Sequence, residues 1–119
     1  MPVAGLSEAL ARAALDADAV PGAYSRAPWA FRPATAGAAA VLEGLGESDY
    51  QWVIVTCRRS DSAGHVRERA YTAVQRYLLS LAAEDVEATW IGSGLPTDLA
   101  LRAEIGADEE MLGVIRVTG

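Results

Sequence analysis

The segment Tyr71–Gly94, YTAVQRYLLSLAAEDVEATWIGSG, decides the fold, because the rest of the chain has to pack around it. Its first half carries apolar residues at spacings of three and four, which is typical of one face of a helix. These residues are Val74, Tyr77, Leu78, Leu81 and Ala82. Leu79 and Ala83 widen this face, so we expect a central helix that is packed on two sides. Val86–Ile91 then reads as a short strand, and Gly92-Ser93-Gly94 predicts a turn with exposed main chain.

The composition is that of one soluble domain spanning residues 1–119, with 51% hydrophobic and 22% charged residues. No apolar run approaches the roughly 18 to 20 residues of a membrane span, and the start MPVAGLSEAL lacks the features of an export signal. The single cysteine, Cys57, cannot form an internal disulfide, so we expect a cytoplasmic location. The net charge of −6 argues against a nucleic-acid partner, because cationic contacts to phosphate supply most of that affinity.

The N-terminal part predicts a helix followed by a hairpin. Ser7 is a suitable N-cap for a helix that runs through Asp18. Trp29 and Phe31 alternate with smaller or polar residues, which predicts a strand. Ala38–Leu42 is expected to return as the second strand of the hairpin, although alanine is a poor strand former.

The remaining segments complete an α+β pattern. Tyr50–Cys57, YQWVIVTC, is β-branched and aromatic with polar residues at both ends, which is typical of an interior strand covered on both faces. The long helix is predicted from about His65, and a further helix from Pro96 to Gly106. Met111–Val117 closes the chain as a strand. The fold class is therefore α+β, with helices packed against one mixed sheet.

No constellation of side chains indicates protein-based chemistry. His65 has no second histidine or cysteine spaced for a metal, and Cys57 ends an apolar strand, where cysteine usually acts as a small buried hydrophobe. The carboxylate pairs Glu84-Asp85 and Glu109-Glu110 fall at the ends of elements, where solvated charge is normal. The phosphate-binding and nucleophile-elbow motifs are absent from the sequence. The residues alone thus predict no catalytic group and no metal site.

Two stretches together resemble the FMN-dependent nitroreductase family. The C-terminal half has the family's order of elements: the helix AVQRYLLSLAA, a strand into WIGSG, the helix TDLALRAEIG and the strand MLGVIRVTG. The second stretch, Val20–Phe31 or VPGAYSRAPWAF, is similar to the family's loop that leads into a Pro-Trp-x-Phe strand.

The resemblance implies a shortened nitroreductase-like fold and an oxidoreductase that holds FMN in a groove between two subunits. It implies that the main chain of one segment lies against the flavin ring, and this segment is Ile91, Gly92 and Ser93. It implies that the loop before Pro-Trp contacts the flavin bound mainly by the partner subunit, and this loop contributes Pro21, Gly22, Ala23 and Ser25. No catalytic side chain is expected, because the cofactor carries the redox chemistry. The plainer alternative is that Gly92 and Gly94 serve only the turn.

The departures from the family predict a partner. Relatives begin with an arginine-and-serine motif that grips the FMN phosphate, whereas the first helix here holds only Arg12, in a different context. A phosphate without arginine contacts loses charge-assisted hydrogen bonds, so we expect weak FMN binding by this chain alone. The chain then resembles a truncated member that works beside a larger, flavin-bearing nitroreductase-like subunit, as the small subunit of a cyclic dipeptide oxidase does. The alternatives are a stand-alone homodimeric FMN-dependent nitroreductase or quinone reductase, and a non-catalytic flavin-binding or scaffold relative.

Overall fold

A four-stranded sheet with helices on both faces makes up the described part of the chain. The computed structural model describes residues 6–18, 29–43, 51–58, 66–95, 99, 103–106 and 108–118. The helices within these ranges are α1 (Leu6–Asp18), α2 (Ala36–Glu43) and α3 (Val66–Ala83). The strands are β1 (Trp29–Pro33), β2 (Gln51–Arg58), β3 (Glu87–Ile91) and β4 (Glu109–Thr118). The predicted α+β class is confirmed.

The sheet has the order β1-β2-β4-β3, and every described pair of neighbouring strands is antiparallel. The predicted mixed sheet is therefore wrong for these strands. The reason lies in the position of β4, which inserts between β2 and β3. The crossover through α3 consequently joins two strands that run parallel but do not pair with each other.

Strand β2 is the interior strand that its sequence predicts. All six residues from Trp52 to Cys57 are buried. Val53 and Val55 belong to the apolar cluster under α1 and α3, whereas Trp52 and Ile54 belong to a second cluster under α2. Because successive side chains of β2 enter the two clusters in turn, both faces of the strand are covered, which explains its continuous apolar sequence.

The predicted second hairpin strand, Ala38–Leu42, is wrong, because these residues lie in helix α2. Thr35 starts the helix: its Oγ1 accepts a hydrogen bond from the Ala38 amide at 3.1 Å, as an N-cap residue does. Alanine has the highest intrinsic helix propensity, so four alanines in eight residues favour a helix over a strand. Ala38 and Leu42, one turn apart, are fully buried against the sheet.

Helix α3 contacts both α1 and the sheet, which agrees with the predicted central position. Its predicted wide apolar face is only partly covered, however, since Leu79 is 68% exposed and Ala83 is also exposed. The helix α1 packs against it through small side chains, with Ala13 and Ala17 fully buried. Small residues at the contact let the two helices approach closely, and the exposed leucine remains on the outside.

Polar contacts show that α1 and α3 run antiparallel. Arg12 pairs with Glu84, and one turn later in α1 the Ser80 hydroxyl donates a hydrogen bond of 2.7 Å to Asp16 Oδ2. Leu15 directly precedes Asp16, and Leu79 directly precedes Ser80. Their side chains are 70% and 68% exposed. By helical geometry the two leucines lie on the same outer side of the helix pair.

The predicted helix from Pro96 to Gly106 lies largely outside the described residues. Within it, Leu99 is fully buried and its carbonyl accepts a hydrogen bond of 2.8 Å from the Ala103 amide, which is the spacing of one helical turn. The predicted last strand is confirmed as β4, which begins two residues earlier, at Glu109. Among the described helices, none is long and apolar enough to cross a membrane.

Candidate functional site

The turn after β3 exposes its main chain, as the sequence predicts. Ile91 is half-buried and packs with the cluster under α2, while Gly92, Ser93 and Gly94 are exposed. Gly94 has a positive φ of 73°, a backbone conformation that favours glycine, and the space where a Cβ would stand is open. The turn thus offers main-chain groups and the Ser93 hydroxyl to a ligand.

The indole of Trp90 supports one side of this turn. A Cβ on Gly92 would lie 2.9 Å from Trp90 Nε1, so only glycine leaves the indole in this position. The Tyr71 ring of α3 contacts the indole edge to face, with 6.1 Å between the ring centroids and 85° between the planes. The half-buried Trp90 is therefore fixed from two sides, and it in turn fixes the path of the backbone at Gly92.

The glycine of β4 makes room for this arrangement. A Cβ on Gly113 would lie 2.6 Å from the Ile91 carbonyl oxygen and 2.6 Å from Trp90 Cη2. Gly113 pairs with Val55 at a register shift between β2 and β4. The sequence interpretation missed the supporting roles of Trp90, Tyr71 and Gly113. A lone glycine inside an apolar strand was the available signal, because it often marks a bulge or a close backbone approach.

The other predicted flavin contacts come from the loop that precedes Trp29. They are Pro21, Gly22, Ala23 and Ser25, and they lie outside the described residues. The strand that follows them is described: Trp29 begins β1, which forms one edge of the sheet, whereas Gly92 follows β3 at the other edge. The two segments of the predicted site are thus attached to opposite edges of the same sheet.

Two described arginines are engaged by carboxylates. Arg12, in the predicted first helix, forms an ion pair with Glu84 on the exposed surface between α1 and α3. The hydrogen bond from Arg12 lowers the pKa of the Glu84 carboxyl. Arg32 forms an ion pair with Glu109, which is much less exposed. Both guanidinium groups are thus held by carboxylates at their own places on the surface.

Glu109, the first residue of β4, connects this strand with β1 and β2. Its Oε2 pairs with Arg32 of β1 and accepts a hydrogen bond of 3.1 Å from the Thr56 hydroxyl of β2, and its Oε1 accepts one of 3.3 Å from the Gly106 amide. Burial raises the pKa of this carboxyl, but the three hydrogen bonds together outweigh burial and lower the pKa below its ordinary value. This network is structural, because Thr56 is fully buried.

In the described ranges, histidine, cysteine and carboxylate side chains form no group of three suited to a metal ion. Cys57 is buried, as predicted for a small hydrophobe. The exposed turn at Gly92 therefore remains the candidate site.

Comparisons with known proteins agree on the fold. No protein-family model matches the sequence, and a comparison with curated protein sequences finds no significant match. Among solved structures, a protein of Parabacteroides distasonis assigned as an NADH dehydrogenase/NAD(P)H nitroreductase superposes with a TM-score of 0.81 at 20% identity, over 98% of this chain and 75% of that one.

Two further structures are similar to the chain. One is oxidised iodotyrosine deiodinase bound to FMN and 3-iodo-L-tyrosine, with a TM-score of 0.79 at 13% identity over 93% of this chain and 77% of that one. The other is a protein of Desulfovibrio desulfuricans assigned as a nitroreductase, in complex with FMN, with a TM-score of 0.76 at 19% identity over 92% and 72%. Since all three identities lie at or below 20%, the likeness concerns the fold: this chain has a nitroreductase-like fold.

Proposed function

We propose that this chain is a small nitroreductase-like subunit of a two-protein FMN-dependent oxidoreductase, in which the turn Ile91–Ser93 forms part of the wall of the flavin pocket. The exposed main chain at Gly92, at the edge of a nitroreductase-like sheet, is the observation that carries the proposal. Two of the proteins with this fold are described in complex with FMN. A flat ring system requires a surface without protruding side chains, and a glycine turn supported from behind by an indole is such a surface.

FMN, when bound, supplies the redox chemistry, and this chain supplies binding and orientation. Gly92 and Ser93 would present main-chain groups to the ring, and Trp90 would keep the turn from collapsing inward. Ser93 adds a hydroxyl that can donate or accept a hydrogen bond. Because the half-buried Ile91 is anchored in the cluster under α2, the turn is attached to the core of the domain. The geometry required of the chain is thus a rigid wall rather than an acid or base.

Two observations support a second polypeptide. The turn at Gly92 follows β3 at one edge of the sheet and Trp29 begins β1 at the other, so one flavin in contact with both edges is more readily shared between two chains. The described arginines Arg12 and Arg32 are each paired with a carboxylate, so neither is available to hold a phosphate dianion. In this proposal a larger nitroreductase-like, flavin-bearing subunit contributes the phosphate site.

We further propose that the complex acts as a cyclic dipeptide oxidase, which dehydrogenates cyclodipeptides. The support is the combination of a nitroreductase-like fold with few phosphate-binding groups, which suits a companion subunit. A test is co-expression of the chain with a nitroreductase-like partner, followed by absorbance spectroscopy and incubation with a cyclodipeptide. We expect flavin absorbance and a dehydrogenated product only from the complex. Tight FMN binding by the isolated chain would contradict the two-protein proposal while leaving the flavin site intact.

A second candidate is a stand-alone homodimeric FMN-dependent nitroreductase or quinone reductase. It is favoured by the extent of the structural likeness, since 98% of this chain superposes on the Parabacteroides distasonis protein. In that case the purified chain alone should bind FMN, and NADPH should bleach the flavin absorbance. Failure of the chain to take up flavin, alone or with any partner, would instead favour a scaffold relative without a cofactor.

A further inference from the structure

A cavity lies at the edge of the sheet opposite the Gly92 turn. It opens between α1, α3 and the strands β1 and β2, and its volume is about 430 Å³. The side chains that line it are mostly apolar. They include Leu10, Ala14, Phe31, Pro33, Val53 and Tyr77. A volume of this size falls within the range of small-molecule pockets, roughly 300 to 1,000 Å³.

Tyr77 provides the one buried polar group among these six side chains. The residue is only 2% exposed, and none of the hydrogen bonds made by the described residues involves its hydroxyl. Its ring stacks on Phe31 with 4.3 Å between the centroids and 2° between the planes, so the phenol is held in one orientation. Burial raises the pKa of this hydroxyl, which therefore stays protonated and able to donate. A tyrosine hydroxyl in mostly apolar surroundings usually takes a hydrogen-bond partner, and a molecule in the cavity can supply it.

The volume and the lining together indicate the class of ligand. An apolar cavity of about 150 Å³ is enough to hold benzene, and the present cavity has almost three times that volume. We propose that it binds an uncharged, two-ring aromatic molecule that carries one oxygen, with the rings among the apolar side chains and the oxygen accepting a hydrogen bond from Tyr77. A charged ligand is disfavoured, because none of the lining residues carries a charge to compensate its desolvation.

A matched pair of ligands tests the hydrogen bond separately from the apolar contacts. Titration of the full chain with 2-naphthol and with 2-methylnaphthalene, followed by calorimetry or by NMR chemical shifts, compares two molecules of nearly equal size. We expect 2-naphthol to bind about fivefold more tightly, as one neutral buried hydrogen bond predicts. In Tyr77→Phe this preference should disappear, while 2-methylnaphthalene still binds.

Two further variants locate the binding. Ala14→Leu fills the cavity and should abolish binding of both ligands, whereas Leu79→Ala, on the exposed side of α3, should leave both affinities unchanged. The comparison of the two ligands on Tyr77→Phe remains decisive if Ala14→Leu does not fold. Failure of the wild-type chain to bind either ligand, as when its own residues occupy the cavity, would overturn the proposal. An unaltered preference for 2-naphthol in Tyr77→Phe would overturn it as well.

The same titrations separate this cavity from the proposed flavin site. Repeated with the FMN-loaded complex, they should give the same affinities and release no flavin, because the cavity and the Gly92 turn lie at opposite edges of the sheet. Displacement of FMN by 2-naphthol would assign the binding to the flavin pocket and contradict the second site. Binding of 2-naphthol by a chain that takes up no FMN even together with its partner would support the cavity and count only against the proposed function.

Discussion

The indole of Trp90 stands perpendicular to the phenol ring of Tyr71, with 6.1 Å between the centroids, and thereby connects the edge strand β3 to the central helix α3. The same indole occupies the space above Gly92 and Gly113 that any side chain at those positions would need. One aromatic contact thus determines the course of the backbone at the candidate site, and two glycines make that contact sterically feasible.

Gly92→Val should weaken FMN binding by the complex about tenfold, which corresponds to about 1.4 kcal/mol. The new side chain would point at the indole, with its Cβ 2.9 Å from Trp90 Nε1, so the indole must move and the main chain of the turn is displaced from the position that contacts the ring. Flavin content after purification and a fluorescence titration with FMN measure the effect. Thr89→Val, at an exposed residue of β3 outside the turn, serves as the control with little change. Wild-type affinity in Gly92→Val would count against the turn as a flavin contact.

Gly113→Ala should lower the free energy of unfolding by about 1–3 kcal/mol, the usual cost of overpacking. The new methyl group would meet the Ile91 carbonyl oxygen, a backbone atom that cannot rotate away, at 2.6 Å. Urea denaturation measures the change. Thr89→Ala, at an exposed residue of β3, should stay within about 0.5 kcal/mol of the wild type. Equal stability of Gly113→Ala and wild type would show that β3 and β4 do not approach each other this closely.

Glu109→Gln should lower the free energy of unfolding at pH 7 by about 1–3 kcal/mol, because charge-assisted hydrogen bonds to Arg32 and Thr56 are weakened. The folded state lowers the pKa of this carboxyl, so its contribution is present above the unfolded pKa of about 4.3 and is lost as the pH falls through the folded value. The wild type should therefore lose more stability between pH 5 and pH 3, a range of roughly two units around that pKa, than the variant does.

Thermal unfolding across this pH range provides the measurement for Glu109→Gln. Glu8→Gln removes the same charge from an exposed position of α1 and is the matched control. We expect its stability at pH 7 to remain near that of the wild type. Parallel pH profiles for Glu109→Gln and wild type would contradict the network as the source of the dependence.

Leu79→Asp should weaken association with the proposed partner without unfolding the chain. The side chain is 68% exposed and lies on the same outer side of the helix pair as Leu15, so little intrachain packing is lost. Sedimentation analysis of the co-expressed proteins measures the association, and the melting temperature of the isolated chain measures the fold. Ala40→Asp, at an exposed residue of α2 on the other face of the sheet, is the control. Unchanged association would exclude this side of α3 from the interface.

The sequence predicts the elements whose apolar pattern is long and regular. YQWVIVTC becomes β2 and the apolar helix becomes α3 within one residue of its expected start, since period and burial agree there. The segment Ala38–Leu42 was wrongly predicted as a strand, because the alanines of Ala36–Glu43 carry no clear period. The signal that marks the helix is its N-cap, Thr35. Leu79 was expected to widen the apolar face of the helix, yet α1 leaves it uncovered.

The candidate turn at Gly92 could be predicted because bare glycines are visible in the sequence. The residues that support the turn could not be predicted from the sequence. The contact between Trp90 and Gly113 depends on the insertion of β4 beside β3 and on the register shift opposite Val55. Such cross-strand neighbours are set by topology, and the topology was predicted with a mixed sheet. The antiparallel insertion of β4 is the feature that a local pattern does not encode.

The unequal burial of the three tryptophans gives the protein a built-in optical reporter. Trp29 and Trp52 are 4% and 5% exposed, whereas Trp90 is half-buried beside the glycine turn. A soluble quencher such as acrylamide should therefore extinguish emission from the third indole first. Shielding of that emission when a second polypeptide or a chromophore is added would report events at the turn without any label.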